Sequence, residues 1–258
     1  MSDDLAPAVL KGRQARYLTF PNLVVPHGFS TRLGGVSQGP YQALNIGQTT
    51  CDHPRRVHEN RLRLEREWGF PLVPILNMVH GAQVVRLESQ PPTRRIGDAC
   101  ITDRPGVALM ITTADCVPIM FHDPVRKVVG LAHAGWRGTL QGVARATVCA
   151  MVAEYGSCAA DLQVAIGPAI GPCCFEVHED VADPFLRRFP GEELVRGQGN
   201  RFNVDLWRAN LEILLDVGVP EAQVCISRVC TSCREDLFYS YRRDQKVTGR
   251  MAAGICLP

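Results

Sequence analysis

The chain has 258 residues, 46% of them hydrophobic and 21% charged, which is enough apolar material for a sizeable core and enough charge for solubility. Lys and Arg total 28 against 26 Asp and Glu, a formal net charge of +2, so electrostatics give no case for nucleic acid or an anionic membrane as the main partner. No uninterrupted apolar run is long enough to span a bilayer. The eleven cysteines are odd in number and scattered, and the first ten residues carry Asp3 and Asp4 with no apolar secretory core. Together these features predict a cytoplasmic protein whose thiols are free or bound to metal.

Residues 1–22 are weakly patterned and are expected to form an irregular lead-in to a single domain over 23–258. Between Leu23 and Asn45, Gly28, Gly34, Gly35, Gly39 and Pro40 punctuate the chain, which predicts a strand followed by a loop. Pro54–Phe70 places Val57, Leu62, Leu64 and Trp68 at roughly helical intervals. Strands are predicted at Ile75–Val79 and Gln83–Leu87, with His80-Gly81 at the turn between them. Gly106–Phe121 is β-rich and mostly apolar, as one buried strand would be. Lys127–Ala132 reads as another strand, running into a loop from His133 to Thr139 and then a helix through about Tyr155. A strand at Leu162–Ile166 leads to a tight loop bracketed by Gly167-Pro168 and Gly171-Pro172. Helices at Glu179–Phe189 and Asp205–Val217 and a strand at Gln223–Ser227 follow. Strands and helices mix without strict βαβ alternation, so the expected class is α+β.

Three segments share one design, in which a strand runs into a polar or Gly-containing turn that carries a ligand-type side chain. They are Met78-Val79-His80-Gly81, Thr113-Ala114-Asp115-Cys116 and Ala132-His133-Ala134-Gly135-Trp136-Arg137-Gly138. Two imidazoles and one thiolate are a ligand mixture that zinc accepts, and three protein ligands leave the fourth tetrahedral position open for water. Spacing alone leaves other readings open. A His beside Gly is commonly a turn residue, and a Cys in an apolar run is commonly a small core side chain. Cys116 also suits a nucleophile with His133 or His80 as its base, and a metal-binding module without catalysis is a further option. Asp115 adjoins Cys116, but neighbours on a strand face opposite ways, which gives it a structural role. Cys230 and Cys233 have C-x-x-C spacing, yet Cys173 and Cys174 are adjacent and do not repeat it. Cys230 and Cys233 are therefore expected to be ordinary thiols at the edge of the pocket.

The segments HGFSTRLGGVSQGPYQALNIG (27–47), VHGAQV (79–84), DACITDRPGVALMITTADCVPI (98–119), VGLAHAGWRGTLQGV (129–143), AIGPAIGPCCFEV (165–177), FYSYRRD (238–244) and TGRMA (248–252) occur in that order. In this the chain resembles the YfiH-like family, also called the polyphenol oxidase or laccase-domain family, whose members are described as purine nucleoside phosphorylases. The resemblance implies a layered sandwich of mixed β-sheets between helices. It also implies metal ligands at His80, Cys116 and His133, which are the catalytic residues too. The implied activities are phosphorolysis of purine nucleosides, including methylthioadenosine, and deamination of adenosine, with nucleosides and phosphate as partners. Phosphate calls for permanently charged, planar Arg. Arg137 and the cluster Arg242, Arg243 and Arg250 are candidates, and by resemblance Asn45 and Tyr241 contact the nucleoside.

Zinc is the expected metal, and copper suits the same ligands. A full multicopper set does not fit seven histidines with no His-x-His pair. The deaminase signature H-x-E with P-C-x-x-C is absent, so any deamination rests on a different architecture. The family usually carries Gln where this chain has Met78, a change that bears on substrate preference. Some relatives resemble editors of peptidoglycan precursors, a chemistry that a Cys116 nucleophile would suit.

Overall fold

Alternation along buried strands decides the layering of the molecule. In Ala108–Thr113, Ala108 and Met110 join one apolar cluster while Leu109 and Ile111 join another, and all four are buried. A strand buried on both faces must separate two layers. The computed structural model describes residues 7–73, 76–90, 93–191 and 193–258.

In chain order the elements begin with β1 (Val9–Lys11), β2 (Tyr17–Thr19), β3 (His27–Ser30), α1 (Pro54–Trp68), β4 (Leu76–Asn77), β5 (Val84–Arg86), β6 (Arg95–Ile96) and β7 (Ala99–Thr102). The central stretch contains β8 (Ala108–Thr113), β9 (Val117–Asp123), β10 (Val128–Ala134), α2 (Trp136–Gln141), α3 (Val143–Tyr155) and β11 (Gln163–Ile166). Then come β12 (Glu176–Val177), α4 (Glu179–Arg188), β13 (Val195–Gln198), β14 (Arg201–Val204), α5 (Leu206–Asp216), β15 (Val224–Ile226) and β16 (Met251–Cys256).

One sheet has the order β1-β2-β3-β16-β8 and the other β15-β11-β9-β10-β7-β5. Phe29, Leu109, Ile111 and Ala253 of the first sheet share a cluster with Cys100, Met120, Val129, Leu131 and Ala165 of the second, so the two sheets pack face to face. The outer face of the second sheet meets α3 through Val148 and Met151, and α5 through Trp207 and Leu214. The outer face of the first is covered by α1 through Leu64 and Trp68. The result is a single α+β domain of four layers, helix, sheet, sheet and helices. Within α1, Pro54 sits in the first turn, His53 accepts from the Arg55 N–H, and Gly69 closes the helix in the left-handed conformation at φ 77°. Among the described residues no helix is long and apolar enough to cross a membrane.

Four sequence expectations are revised. Residues 7–22 are no irregular lead-in, because β1 and β2 extend the first sheet from β3 and bury Leu18 and Phe20. Gly106–Phe121 holds two strands, β8 and β9, which belong to different sheets. His133 lies inside β10, and the helical region after it is broken at Gly142, whose φ of 78° ends α2 before α3 begins. The strand expected from Ile75 is seen over Leu76–Asn77 only, Ile75 itself lying outside the described residues.

Candidate metal centre and substrate pocket

The break between β8 and β9 is what exposes Cys116. Asp115 adopts φ 86°, a left-handed conformation that Asp tolerates better than most side chains. The chain thereby leaves one sheet and enters the other across Ala114-Asp115-Cys116. Both Asp115 carboxylate oxygens then hold distant loops. Oδ1 accepts from Thr231 Oγ1 at 2.7 Å, and Oδ2 accepts from Ser240 Oγ at 3.0 Å and the Arg242 N–H at 2.7 Å. The Ile170 N–H donates to the Asp115 carbonyl at 2.9 Å. Burial nonetheless pushes the Asp115 carboxyl above its ordinary range, outweighing these donors.

β9 and β10 are antiparallel neighbours with His133 opposite Pro118 and Ala134 opposite Val117, so His133 emerges beside Cys116. His80 arrives from the loop between β4 and β5 at φ 60°. Asp98, fully buried, sets that conformation by accepting the N–H groups of Val79, His80 and Gly81 at 3.1, 2.9 and 2.8 Å. Asp98 Oδ1 also lies 3.0 Å from His133 Nδ1, which leaves His133 Nε2 facing the site. Burial alone would raise the Asp98 carboxyl, but the hydrogen bonds from His133 and the loop N–H groups hold it below the usual range.

The ligand atoms of His80, Cys116 and His133 all lie within 4.8 Å of one another, and the two imidazoles meet edge-on with centroids 5.0 Å apart. For Cys116, burial raises the thiol, but the His133 charge and hydrogen bonds with His133 and His80 outweigh it and bring it down to about 6. For His133, burial lowers the imidazole, and the Cys116 thiolate together with Asp98 outweighs that and raises it to about 9. A half-buried thiolate clasped by two imidazoles is one soft and two borderline donors converging on a point. A Cβ built on Gly135 would sit 2.8 Å from His80 Nδ1 and 3.2 Å from Cys116 Sγ, so only glycine leaves that space open. A carboxylate orienting a ligand histidine is also the usual support of such a centre. The residues fit a metal ion.

The site opens into a cavity of about 670 Å3, within the range of small-molecule pockets. Arg137, Arg242, Lys246 and Arg250 line it, against a single carboxylate, Asp115. Three of the arginines lie over aromatic rings: Arg137 over Trp136 at 4.2 Å, Arg242 over Phe175 at 5.4 Å and Arg250 over Tyr241 at 5.5 Å.

Of the residues expected at the site, His80, Cys116, His133, Arg137 and Tyr241 line this cavity, and Met78 is on its wall. Asn45 and Arg243 are placed elsewhere. Asn45 is fully buried, donating to Thr50 and Asp52 and accepting from the N–H groups of Gly47 and Arg250, so it braces the chain behind Arg250. Arg243 pairs with Asp244 and donates to the carbonyls of Thr231, Ser232 and Phe238. The residues that sequence reasoning passed over are Asp98, Lys246 and the apolar wall of Ile170, Phe175 and Leu206. Asp98 had one readable signal, as an acidic residue at the start of an apolar strand in a chain already suspected of holding a metal through histidine.

Two imidazoles and a thiolate that converge at the sheet sandwich, opening into a cavity lined by four cations, define a candidate metal centre beside a binding pocket. The family model described as multi-copper polyphenol oxidoreductase laccase matches residues 26–258. A purine nucleoside phosphorylase of Deinococcus radiodurans is 45% identical over 93% of this chain and 92% of its own. The purine nucleoside phosphorylase YfiH of Escherichia coli is 38% identical over 88% of this chain and 92% of its own. The crystal structure of YlmD from Geobacillus stearothermophilus superposes with a TM-score of 0.90 at 38% identity, covering 97% of this chain and 99% of that one. The chain belongs to this laccase-like family of YfiH and YlmD proteins.

The family model's description mentions several coppers. Besides His80 and His133, His27 bonds Phe20 and Val25, His53 caps α1, His122 meets Gln163 and His178 meets the Asn200 carbonyl. Among the described residues, no cluster of ligand-type side chains other than the His80 site contains a histidine.

Proposed function

We propose that this chain is a zinc-dependent purine nucleoside phosphorylase, which also phosphorolyses methylthioadenosine and deaminates adenosine in the same pocket. The observation that carries the reading is the cavity itself, where four cations and three aromatic rings surround a two-His, one-Cys centre. Names carried by several close relatives agree with it. His80, Cys116 and His133 would hold the ion, which when bound supplies a Lewis acid and a water acidified toward ~7. The remaining work falls to the chain. Arg137, Arg242, Lys246 and Arg250 gather and orient the phosphate. Phe175, Trp136 and Tyr241 offer flat faces to a purine. In phosphorolysis a phosphate oxygen forms a bond to the ribose C1′ as the bond from C1′ to the purine nitrogen breaks, and the base leaves with that electron pair. Met78, an apolar contact on the wall, favours nucleosides with an apolar substituent such as methylthioadenosine.

The test is to load the purified protein with zinc and supply phosphate with adenosine, inosine, guanosine or methylthioadenosine in turn. Free base and the ribose 1-phosphate ester are expected, together with inosine from adenosine when phosphate is withheld. Failure to release base from all four nucleosides would reject the reading.

One observation favours a second reading. Cys116, His133 and Asp98 form the ordered thiolate, imidazole and carboxylate series of a cysteine hydrolase, and the depressed Cys116 thiol suits a nucleophile. That reading requires an acyl adduct on Cys116 and turnover that survives chelation.

A further inference from the structure

We propose that Cys173, Cys174, Cys230 and Cys233 form a second metal site, a closed four-thiolate centre for a zinc-type ion that locks the wall of the pocket. Linear spacing hides it, because one pair is adjacent and the other has C-x-x-C spacing. The fold brings them together. β11 and β15 are parallel neighbours, and their pairing continues past the strands at the Ala169–Cys230 bridge, where the Thr231 N–H donates to the Ala169 carbonyl at 2.9 Å. The loops that follow each strand therefore leave the sheet side by side.

The four Sγ atoms lie within 4.8 Å of one another, with Cys233 at 3.5 Å from Cys173 and 3.4 Å from Cys174. A tetrahedral ion with bonds of about 2.3 Å needs sulfurs about 3.8 Å apart, so only small adjustments separate this cluster from a coordination shell. Cys233 lies almost equally far from two partners, which suits a shared centre better than one preset disulfide. The N–H of Gly171 donates to Cys230 Sγ at 3.2 Å, the kind of contact that stabilises a thiolate ligand. Gly171 makes the approach feasible, because a Cβ there would press on the Trp207 ring at 2.9 Å and on Cys173 Sγ at 3.2 Å.

Four soft donors with no position left open describe a structural site rather than a reactive one. Four thiolates around a dication carry a net charge of −2, which the Gly171 N–H at Cys230 Sγ offsets in part. The cluster also touches the pocket through its neighbours. Ile170 and Phe175, flanking the first cysteine pair, line the wall, and Thr231, between the second pair, donates to Asp115 beside Cys116. An ion here would pin both loops behind the His80 centre.

The experiment is cobalt titration of the reduced full-length protein, read by metal content and by sulfur-to-cobalt charge-transfer absorption. A tightly bound equivalent that persists in Cys116→Ala and is lost in the double variant Cys173→Ser/Cys233→Ser is expected. A second measurement needs no variant. Cys173 and Cys233 are exposed, so iodoacetamide labelling mapped by peptide mass spectrometry should be at least tenfold slower in zinc-loaded than in chelator-treated protein. Binding of one equivalent that Cys116→Ala abolishes, equal labelling with and without zinc, or recovery of these cysteines as a disulfide from the reduced protein would each overturn the proposal. None of these readouts depends on nucleoside turnover.

Discussion

Asp98 shows how one carboxylate can set a whole site. It accepts from three consecutive backbone N–H groups and orients His133, so it fixes two ligands at once. Asp98→Asn keeps the size but replaces one acceptor oxygen with a donor. We expect metal affinity to fall roughly 10–100-fold by chelator competition, the usual cost of losing such a partner. Protons provide a second reading of the same atoms. With Cys116 at about 6 and His133 at about 9, the metal-free site at pH 7 is a thiolate beside an imidazolium. Metal must then displace one proton, from His133. Apparent affinity should rise with pH by one proton's worth between about 6 and 9. It should rise more steeply below that window, where the thiol is protonated too, and level off above it. Calorimetry in buffers of different ionisation enthalpy would detect the released proton, and a pH-independent affinity at neutrality would contradict the arrangement. The convergence of His80, Cys116 and His133 was legible because the resemblance covered their contexts, whereas spacing alone left it open. Asn45 and Arg243 show the limit of that approach. Side chains rich in hydrogen-bonding groups serve equally well to hold loops as to hold ligands, and a linear sequence does not reveal which partner lies within 3 Å.

At the level of the element, helix periodicity was readable and strand breaks were not. α1 matched its pattern because Pro54 and Gly69 mark its ends, and α4 and α5 fell within a residue or two of expectation. The run from Gly106 to Phe121 misled because both strands in it are buried on both faces. Apolar residues on either side of the turn therefore look alike, and only Asp115 marks the point where the chain changes sheets. Burial on both faces also makes the elements intolerant of added volume. A Cβ on Gly28 in β3 would lie 2.6 Å from the Trp68 indole nitrogen, and one on Gly254 in β16 would lie 2.6 Å from the same ring. Gly28→Ala should therefore cost about 1–3 kcal/mol of stability, read as a lower denaturant midpoint with an unchanged slope. A neutral result would mean that α1 can shift away from the sheet.

For the whole molecule, the four layers depend on segments far apart in sequence. Removing residues 1–22 deletes β1 and β2, uncovers the edge of β3 and takes Leu18 and Phe20 out of the sheet interface. Burial of two such side chains contributes about 3–6 kcal/mol, and a bare edge invites pairing with other chains. The shortened protein should melt at lower temperature and scatter light on concentration, and full retention of the melting point would show these strands to be dispensable. β16, residues Met251–Cys256, has a different consequence, because it occupies an interior place in its sheet and joins β3 to β8. Until these residues have been made, β8 has no partner in this sheet and the β2–β3 pair has no way to reach it. Closing of the sheet must therefore follow the synthesis of Met251–Cys256, however early the strands before them leave the ribosome.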